Sequence, residues 1–290
     1  MKNECRICNS INIRSMYDVG SYLLCRCNNC RVVYINPIPS NKIIRKSNKD
    51  EYETIKVERA YIKMRHTFFN RARIYIKRLK SFRTRGRLLD IGCGYGYYLS
   101  IFKQNGYNSE GIDVSSRAIK YAKETMNQRC IKGNFSKYKF KKNCYDVVTI
   151  IDTIEHFSNP NNIINKINNI LRKDGILVIQ TPNYDSLISK LTKDKWFWLL
   201  IPQHIYLFSP KSICYILSKN NFRILNMSTW DDWNEFINNI LQINRINNIG
   251  KYKIIYKILT KILKLFYPMS VLWNKLYLGG EILVYAQKKY

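Results

Sequence analysis

The segment from Leu88 to Gly96, which reads LLDIGCGYG, constrains the fold of this chain more than any other. An apolar stretch leads into Asp90, and three glycines then alternate with other residues before a segment that can be helical. Glycine has no Cβ, so the backbone N–H groups of such a turn can approach a ligand closely, and the following helix adds its N-terminal dipole. The pattern differs from the G-x-G-x-x-G dinucleotide fingerprint in its spacing and in the acidic residue before it. It predicts a nucleotide-type site at the carboxyl end of a β-strand.

The segments that follow predict a doubly wound α/β sheet. Asp113 closes a second apolar segment, and an acidic residue about 20 positions beyond such a loop can accept hydrogen bonds from both hydroxyls of a ribose. A short strand ends near Asn134, and residues 145–151 form a continuous apolar run that is typical of a buried parallel strand. Residues 175–183 give another strand, so that strands and helices alternate along the chain.

Motifs in this order resemble those of the class I methyltransferases that depend on S-adenosylmethionine (SAM). The resemblance runs from about residue 87 to residue 230 and resumes at Glu281. It implies a Rossmann-like, seven-stranded α/β sheet whose last strand is antiparallel. In that family the acidic residue before the glycines lies near the methionine part of SAM, and the residue that matches Asn134 contacts the adenine amino group. The implied cofactor-binding residues are Asp90, Gly92, Gly94, Gly96, Asp113, Asn134 and Asp152.

Two pairs of cysteines near the N-terminus predict a metal site. Cys5 and Cys8 form one C-x-x-C knuckle, and Cys27 and Cys30 form a second one after 18 intervening residues. This arrangement is typical of a tetrahedral four-cysteine Zn²⁺ site, and bound zinc would supply folding free energy that so small a segment lacks. The alternative, a disulfide framework, requires an oxidising compartment, and no signal-peptide pattern precedes Cys5. Cys25 is left out because its spacing to Cys27 is poor for a knuckle.

The sequence divides into three regions. We expect a zinc ribbon over residues 1–38, a helical linker or cap over 39–85, and the methyltransferase domain over 86–290. The stretch from Cys27 to Pro37 resembles the end of the zinc ribbons that precede many bacterial methyltransferase domains of this type.

A helical insertion is predicted at about residues 231–280, before the last strand. Within it, Lys253, Lys257, Lys261 and Lys264 share one helical face, and apolar side chains fill the other. The lysines recur too often for a transmembrane helix. Such a helix can pack on its own domain, cap the acceptor pocket, form a dimer contact or lie on an anionic membrane surface.

The net charge narrows the range of partners only weakly. The chain has 49 Lys and Arg against 20 Asp and Glu, a formal charge of +29. A charge of this size favours anionic partners such as nucleic acid, acidic lipids and phosphorylated intermediates. A composition bias explains it equally well, because Lys, Ile and Asn are abundant throughout the chain. We expect a reduced, cytoplasmic protein, with peripheral contact to an anionic membrane as one option.

Methyl transfer to a hydroxyl needs a base as well as a well-placed acceptor, and the chain has three histidines. His204 lies in an aromatic segment that resembles the acceptor-side P-x-H-x-x-x-F-S segment of this methyltransferase group, and it is the first choice for the base. His156, after the fourth strand, is the second choice, and either histidine could instead be structural. Asp152, Glu155 and His156 also resemble the acidic-histidine cluster of ubiquinone-pathway O-methyltransferases, for which a divalent ion has been proposed.

The expected function is SAM-dependent O-methylation of a small-molecule, sugar or lipid-linked cell-envelope intermediate. The alternative is an RNA methyltransferase, which the charge and the ribbon would suit. Residues 152–155 lack the Asn/Asp-Pro-Pro-Tyr/Phe run with which amino-methylating nucleic-acid enzymes hold a flipped base. Methylation of a base amino group is therefore disfavoured, and methylation of the ribose is the RNA reaction that stays open. A non-catalytic SAM-fold binding module is a third class, and the intact glycines, Asp90 and Asp113 argue against it.

Overall fold

The structure is a computed structural model that describes residues 4–40, 42–44, 46, 53–231, 258, 261 and 272–289. Most of the predicted insertion, including Lys253, Lys257 and Lys264, lies outside the described residues. Residues 272–275, near its end, are helical. Within the described residues, no helix combines the length and the apolar character needed to cross a membrane.

The N-terminal ribbon, residues 4–38, contains three antiparallel strands. They are β1 (Ile13–Val19), β2 (Tyr22–Cys27) and β3 (Val33–Asn36). A fourth strand of this sheet, β9 (Tyr206–Leu207), comes from far along the chain and pairs antiparallel with β3. The ribbon is therefore joined edge to edge with a loop of the larger domain.

The larger domain is built on one seven-stranded sheet. Its strands are β4 (Gly86–Ile91), β5 (Tyr107–Asp113), β6 (Cys130–Lys132), β7 (Tyr145–Ile151), β8 (Leu171–Pro182), β10 (Phe222–Trp230) and β11 (Glu281–Lys288). Their order is β10-β11-β8-β7-β4-β5-β6. Strands β4 to β8 are parallel, whereas β11 is antiparallel to both β8 and β10. The predicted seven-stranded Rossmann-like sheet with an antiparallel last strand is confirmed.

Most helices of the larger domain follow its strands, as a doubly wound fold requires, whereas the first helix precedes β4. They are α1 (Ile55–Leu79), α2 (Tyr97–Gln104), α3 (Ser116–Glu124), α4 (Pro160–Ile170), α5 (Leu187–Thr192) and α6 (Pro210–Lys219). Polar side chains begin α3 and α4: Ser115 accepts a hydrogen bond from the backbone N–H of Ala118, and Asn159 accepts one from Asn162. These bonds satisfy N–H groups that have no partner inside the helix.

Helix α1 occupies the region that the sequence predicts as a helical linker or cap. Its C-terminal half buries Ala72, Tyr75 and Leu79 in one cluster with residues of α2 and the sheet. Its N-terminal half carries Tyr61 and Phe68 to the mouth of the cleft described below. The boundaries at residues 38 and 85 stay a prediction.

Candidate active site

A cleft of about 240 Å³ opens at the carboxyl ends of β4, β5, β6 and β7. The glycine loop after β4 lines it, together with Asp113 after β5, Asn134 after β6, and Asp152 and His156 after β7. Ligands of open parallel sheets bind at this edge, where the loops leaving successive strands meet. The cleft therefore brings together residues that are far apart in the sequence, such as Gly92 and His156, which are separated by 64 positions.

The three glycines of the loop have different roles. Gly92, Gly94 and Gly96 adopt positive φ angles of 75°, 48° and 79°, which residues with a Cβ rarely adopt. A Cβ at Gly92 would collide with Thr153, whereas the space around Gly94 is open. A Cβ at Gly96 would lie 3.0 Å from that of Ala122. Gly92 and Gly94 line the cleft, but Gly96 does not, and it instead lets α2 begin close to α3.

The Asp113 carboxylate is held by backbone groups at the edge of the cleft. Its Oδ2 accepts a hydrogen bond from the N–H of Gly94 at 2.9 Å, and its Oδ1 accepts one from Ser115 at 2.8 Å. Burial raises the pKa of Asp113, and the hydrogen bonds from the backbone oppose this by stabilising the charged form. Each oxygen of a carboxylate can accept a second hydrogen bond, so the fixed pair fits the two ribose hydroxyls of SAM.

Asp90 lies within β4, between Gly111 of β5 and Thr149 of β7. Its side chain is buried and is not among the residues that line the cleft. The hydroxyl of Thr149 donates to its Oδ1 at 2.6 Å, and burial raises the pKa of Asp90 to about 7. The contact with the methionine part of SAM that the resemblance implies for Asp90 stays a prediction.

Asn134 lines the cleft and is exposed, and the contact with the adenine amino group that the resemblance implies for it stays a prediction. Its Oδ1 already accepts hydrogen bonds from the backbone N–H of Ser136 at 2.9 Å and from the Ser136 hydroxyl at 2.6 Å. An adenine amino group would have to replace the hydroxyl of Ser136 at this oxygen, because a carbonyl oxygen has two lone pairs. The Asn134 amide N–H₂ donates no hydrogen bond to any of the described residues.

Asp152 has an unusual backbone and an unsatisfied oxygen. Its φ is +46°, which is uncommon for a residue with a side chain and is often found at functional sites. Its Oδ1 is buried without a hydrogen-bond partner among the described residues. Burial raises the pKa of Asp152, and Arg71, whose guanidinium lies 3.8 Å from Oδ2, lowers it. A carboxylate on the wall of this cleft fits a cationic group such as those of SAM.

Aromatic side chains from α1 and from the glycine loop form one wall of the cleft. Tyr61 stacks on Phe68 at 5.4 Å between ring centroids and on Tyr95 at 5.0 Å, and Phe68 stacks on Tyr97 at 5.6 Å. All four residues line the cleft. The tyrosines that follow the glycines were visible in the sequence, but their partners on α1 lie more than 25 residues earlier. Such a wall excludes water from a bound cofactor.

The two candidate bases, His156 and His204, contact each other with ring centroids 4.9 Å apart. His156 lines the cleft, whereas His204 is buried and does not. The Nδ1 of His156 bonds to the carbonyl of Gln203 at 3.0 Å, and the Nδ1 of His204 bonds to that of Trp198 at 2.8 Å. Because a carbonyl only accepts, each Nδ1 carries the proton and each Nε2 carries a lone pair. Burial lowers the pKa of His156 to about 4 and that of His204 to about 3, so both rings are neutral at pH 7.

Glu155 lies beside the two histidines. One of its carboxylate oxygens, the Nε2 or Nδ1 of His156 and that of His204 all lie within 4.8 Å of one another. Thr181 donates to Glu155 Oε2 at 2.9 Å, and burial, followed by the nearby charge of Asp152, raises the pKa of Glu155 to about 8. The ion that the sequence suggests at Asp152, Glu155 and His156 stays a prediction, and the structure groups His204 rather than Asp152 with the other two.

The four predicted zinc ligands meet in the ribbon. Cys5 Sγ lies 3.5 Å from Cys30 Sγ, and Cys8 Sγ lies 3.4 Å from Cys27 Sγ. All four sulfur atoms lie within 4.8 Å of one another, and none is in a disulfide. Sulfur atoms about 3.8 Å apart are what a tetrahedral site with Zn–S bonds of about 2.3 Å requires. The cluster fits a zinc ion, and Cys25 lies outside it.

A parallel sheet with one antiparallel last strand, a glycine loop after its first strand and acidic residues at the neighbouring strand ends define a class I, SAM-dependent methyltransferase domain. Residues 64–226, more than half of the chain, match the family described as "Methyltransferase domain". The chain belongs to this family of methyltransferase domains.

Known proteins agree with this class. The chain is 30% identical over 107 residues to a ubiquinone biosynthesis O-methyltransferase of Glaesserella parasuis, covering 33% of this chain and 45% of that protein. The corresponding protein of Pelagibacter ubique is 29% identical over 178 residues, with 54% and 74% covered. The chain thus spans less than half of the first relative. A SAM-dependent methyltransferase structure from Archaeoglobus fulgidus superposes with a TM-score of 0.53 at 21% identity, covering 84% of this chain and 99% of that one, which shows the shared fold.

Replacing Asp113 with alanine should weaken SAM binding by about 1.5–3 kcal/mol, the usual loss for a hydrogen bond to a charged group. The substitution also frees the backbone N–H groups of Gly94 and Ser115, which Asp113 now holds. Calorimetric titration with SAM measures the change. Asp146→Ala, which removes a carboxylate at the opposite end of the sheet where it bonds Arg87 and Arg172, is the control. Equal affinity in the Asp113 variant and the unaltered protein would remove Asp113 from the site.

Proposed function

We propose that the protein transfers a methyl group from SAM to a hydroxyl oxygen of a small-molecule, sugar or lipid-linked cell-envelope acceptor. The observation that carries this proposal is His156, a neutral imidazole on the wall of the cleft. Its Nδ1 carries the proton that is donated to the carbonyl of Gln203, so its Nε2 keeps a lone pair. A hydroxyl acceptor needs such a group to take its proton. The similarity to ubiquinone biosynthesis O-methyltransferases also supports oxygen as the methylated atom.

The residues of the cleft suit this reaction. Bound SAM would supply an activated methyl group for the acceptor oxygen, and the electron pair of the C–S bond would stay on its sulfur. Asp113 would bind the ribose hydroxyls, Asn134 the adenine amino group, and Asp152 a cationic group of the cofactor. His156 would take the acceptor proton at Nε2. Holding both reactants in the aromatic-walled cleft would supply most of the rate, because positioning is the main requirement of methyl transfer.

The ribbon and the Lys-faced helix also have expected roles. We expect the four cysteines Cys5, Cys8, Cys27 and Cys30 to hold one Zn²⁺, and the ribbon to occupy residues 1–38. Four thiolate ligands require a reducing compartment, which supports the cytoplasm as the location. Contact with an anionic membrane through the Lys-faced helix stays a prediction, because that helix lies outside the described residues.

Ribose methylation of RNA is the second candidate, and the net charge of +29 favours it. Among the described residues that follow β7 and line the cleft, only His156 and Phe157 carry a ring, and neither side chain is fully exposed for a base to stack on. Base stacking on aromatic side chains is the usual device of single-strand RNA recognition. The acceptor is therefore better sought outside RNA.

Methyl-labelled SAM incubated with lipid, glycan and RNA fractions of a bacterial extract tests the proposed function. We expect label in a glycan or lipid fraction, in a bond that resists mild alkali as an ether does. Label in ribonuclease-sensitive material would favour RNA, and absence of label from every fraction, with SAM bound, would contradict the proposal.

A further inference from the structure

A second pocket of about 220 Å³, here called the side pocket, opens beside the cofactor cleft. His156, Phe157, Asn134 and Ile44 line both spaces, and Ser158, Asn159, Asn162 and Lys166 are among the residues that line the side pocket alone. We propose that the side pocket binds the methyl acceptor, and that the acceptor is a hydroxylated compound with an anionic group, of the sugar-phosphate class. This inference rests on the proposed function.

The shared wall places the side pocket where an acceptor must be. A methyl acceptor has to touch the cofactor and the base at the same time, since the reacting atoms need to be about 3–3.5 Å apart. His156 lines both the cleft and the side pocket, and because its Nδ1 donates to Gln203, Nε2 is the nitrogen that carries the lone pair. A hydroxyl that reaches His156 from the side pocket therefore also borders the cleft.

The polar side chains of the side pocket suit a polyhydroxylated compound. Asn159 uses its Oδ1 to accept the N–H of Asn162 at 3.1 Å, which leaves its amide N–H₂ to donate. Asn162 is exposed at the first turn of α4, and Ser158 lies in the loop before it. Amide and hydroxyl groups both donate and accept, as sugar hydroxyls do. Phe157 and Ile163 add apolar surface on which the C–H face of a ring can lie.

The cofactor cleft and the side pocket are lined by side chains of opposite charge. The carboxylates Asp113 and Asp152 line the cofactor cleft, where the cationic groups of SAM would bind. The described residues that line the side pocket include Lys166 and no carboxylate. The Lys166 ammonium donates to the carbonyls of Phe135, Ser136 and Tyr138 at 2.6, 3.1 and 2.6 Å.

Carbonyl groups orient this ammonium but do not cancel its charge. Burial lowers the pKa of Lys166, as expected for a partly desolvated cation without a carboxylate beside it. The three ammonium hydrogens already go to these carbonyls, so the uncancelled charge would attract an anionic group in the side pocket without a new hydrogen bond and would repel a cationic acceptor. The overall charge of +29 adds a long-range attraction of the same sign.

Binding of two simple probes tests this inference. The protein, loaded with S-adenosylhomocysteine, is titrated with glucose 6-phosphate and with glucose, and saturation-transfer NMR measures the binding. We expect binding of glucose 6-phosphate to exceed that of glucose. Asn162→Asp places a negative charge on the pocket wall and should weaken glucose 6-phosphate binding about five- to tenfold. Asn165→Asp adds the same charge to an exposed position of the same helix outside the pocket and should change it less than twofold.

Three results would decide against the side pocket. The first is a lack of preference for glucose 6-phosphate over glucose. The second is equal probe binding by the Asn162→Asp variant and the unaltered protein. The third is equal labelling of the extract fractions by these two proteins. Any of these would overturn the pocket assignment while labelled product from the unaltered protein still upheld methyl transfer. Failure of the unaltered protein to label any fraction, with selective probe binding intact, would overturn the proposed function instead.

Discussion

Replacing His156 with alanine should slow methyl transfer about 10²–10⁴-fold, with SAM affinity changed by less than about threefold. The imidazole lies on the wall of the cleft, and its Nδ1–H donates to the carbonyl of Gln203 at 3.0 Å. That bond fixes the tautomer and leaves Nε2 to receive the proton of the acceptor. Rates with labelled SAM and saturating acceptor fraction measure the first effect, and calorimetry measures the second.

His204→Ala is the informative comparison. The sequence favoured His204 as the base, because its aromatic segment resembles the acceptor side of this methyltransferase group. In the structure its ring lies against His156, buried and outside the lining of the cleft. We therefore expect His204→Ala to slow the reaction about tenfold by loosening His156. A larger loss in His204→Ala than in His156→Ala would restore the order that the sequence favoured.

The pH dependence of the rate provides a separate prediction. A protonated imidazole cannot accept a proton, so the rate falls as the pH drops through the pKa of the base. Burial lowers the pKa of His156 to about 4, so the acidic limb should lie near pH 4 rather than near the value of about 6.5 of an exposed histidine. The residual profile of His156→Ala is subtracted, because burial raises the pKa of Asp90 to about 7 and that of Glu155 to about 8. A limb centred near pH 6.5 that His156→Ala abolishes would contradict this prediction.

The sheet could be predicted from the sequence because its determinants are local. Strands β4 and β7 are largely apolar runs followed directly by Gly92 and Asp152, and the order of strands and helices allows few right-handed topologies. The glycine loop follows from three backbone angles that only glycine adopts easily. The two cysteine knuckles can likewise be predicted from the sequence, since each places two thiols on a single turn.

The environment of the site could not be predicted, because it depends on contacts between distant segments. The pairing of β3 with β9 joins residues more than 170 positions apart, and β9 alone is only two residues long. The choice between His156 and His204 as the base depends on which ring faces the cleft, and the hydrophobic periodicity of the sequence does not predict this. The wall formed by Tyr61 and Tyr95 depends in the same way on how α1 crosses the glycine loop.

Cys27→Ser should remove the bound zinc and slow methyl transfer at least tenfold, while SAM affinity changes less than about twofold. Four-cysteine sites lose affinity steeply when one thiolate is lost, and structural zinc contributes about 10–16 kcal/mol of binding free energy in small finger peptides. Cys27 ends β2 and lies 3.4 Å from Cys8 across the cluster. Without the metal, the ribbon lacks a link between its two knuckles and should lose its fixed structure.

The expected loss of turnover follows from the way the ribbon holds the loop beside the histidines. Val33 and Tyr34 of β3 pair with Leu207 and Tyr206 of β9, which come directly after His204 and Ile205. The Arg6 guanidinium and the Tyr206 hydroxyl also donate to the carbonyl of Ser158, at 3.3 and 3.4 Å. None of the described residues that line the cofactor cleft belongs to the ribbon, so SAM binding should persist.

Elemental analysis of the purified protein, calorimetry with SAM and labelled turnover separate these effects. The unaltered protein and Cys25→Ser should each hold one zinc per chain, because Cys25 is buried in the ribbon but lies outside the four-cysteine cluster. Cys27→Ser should hold close to none. An unaltered protein that folds without zinc would contradict the metal assignment. Full turnover in zinc-free Cys27→Ser would show that the ribbon does not position the loop that carries His204, because β9 would then keep its place without its partner strand.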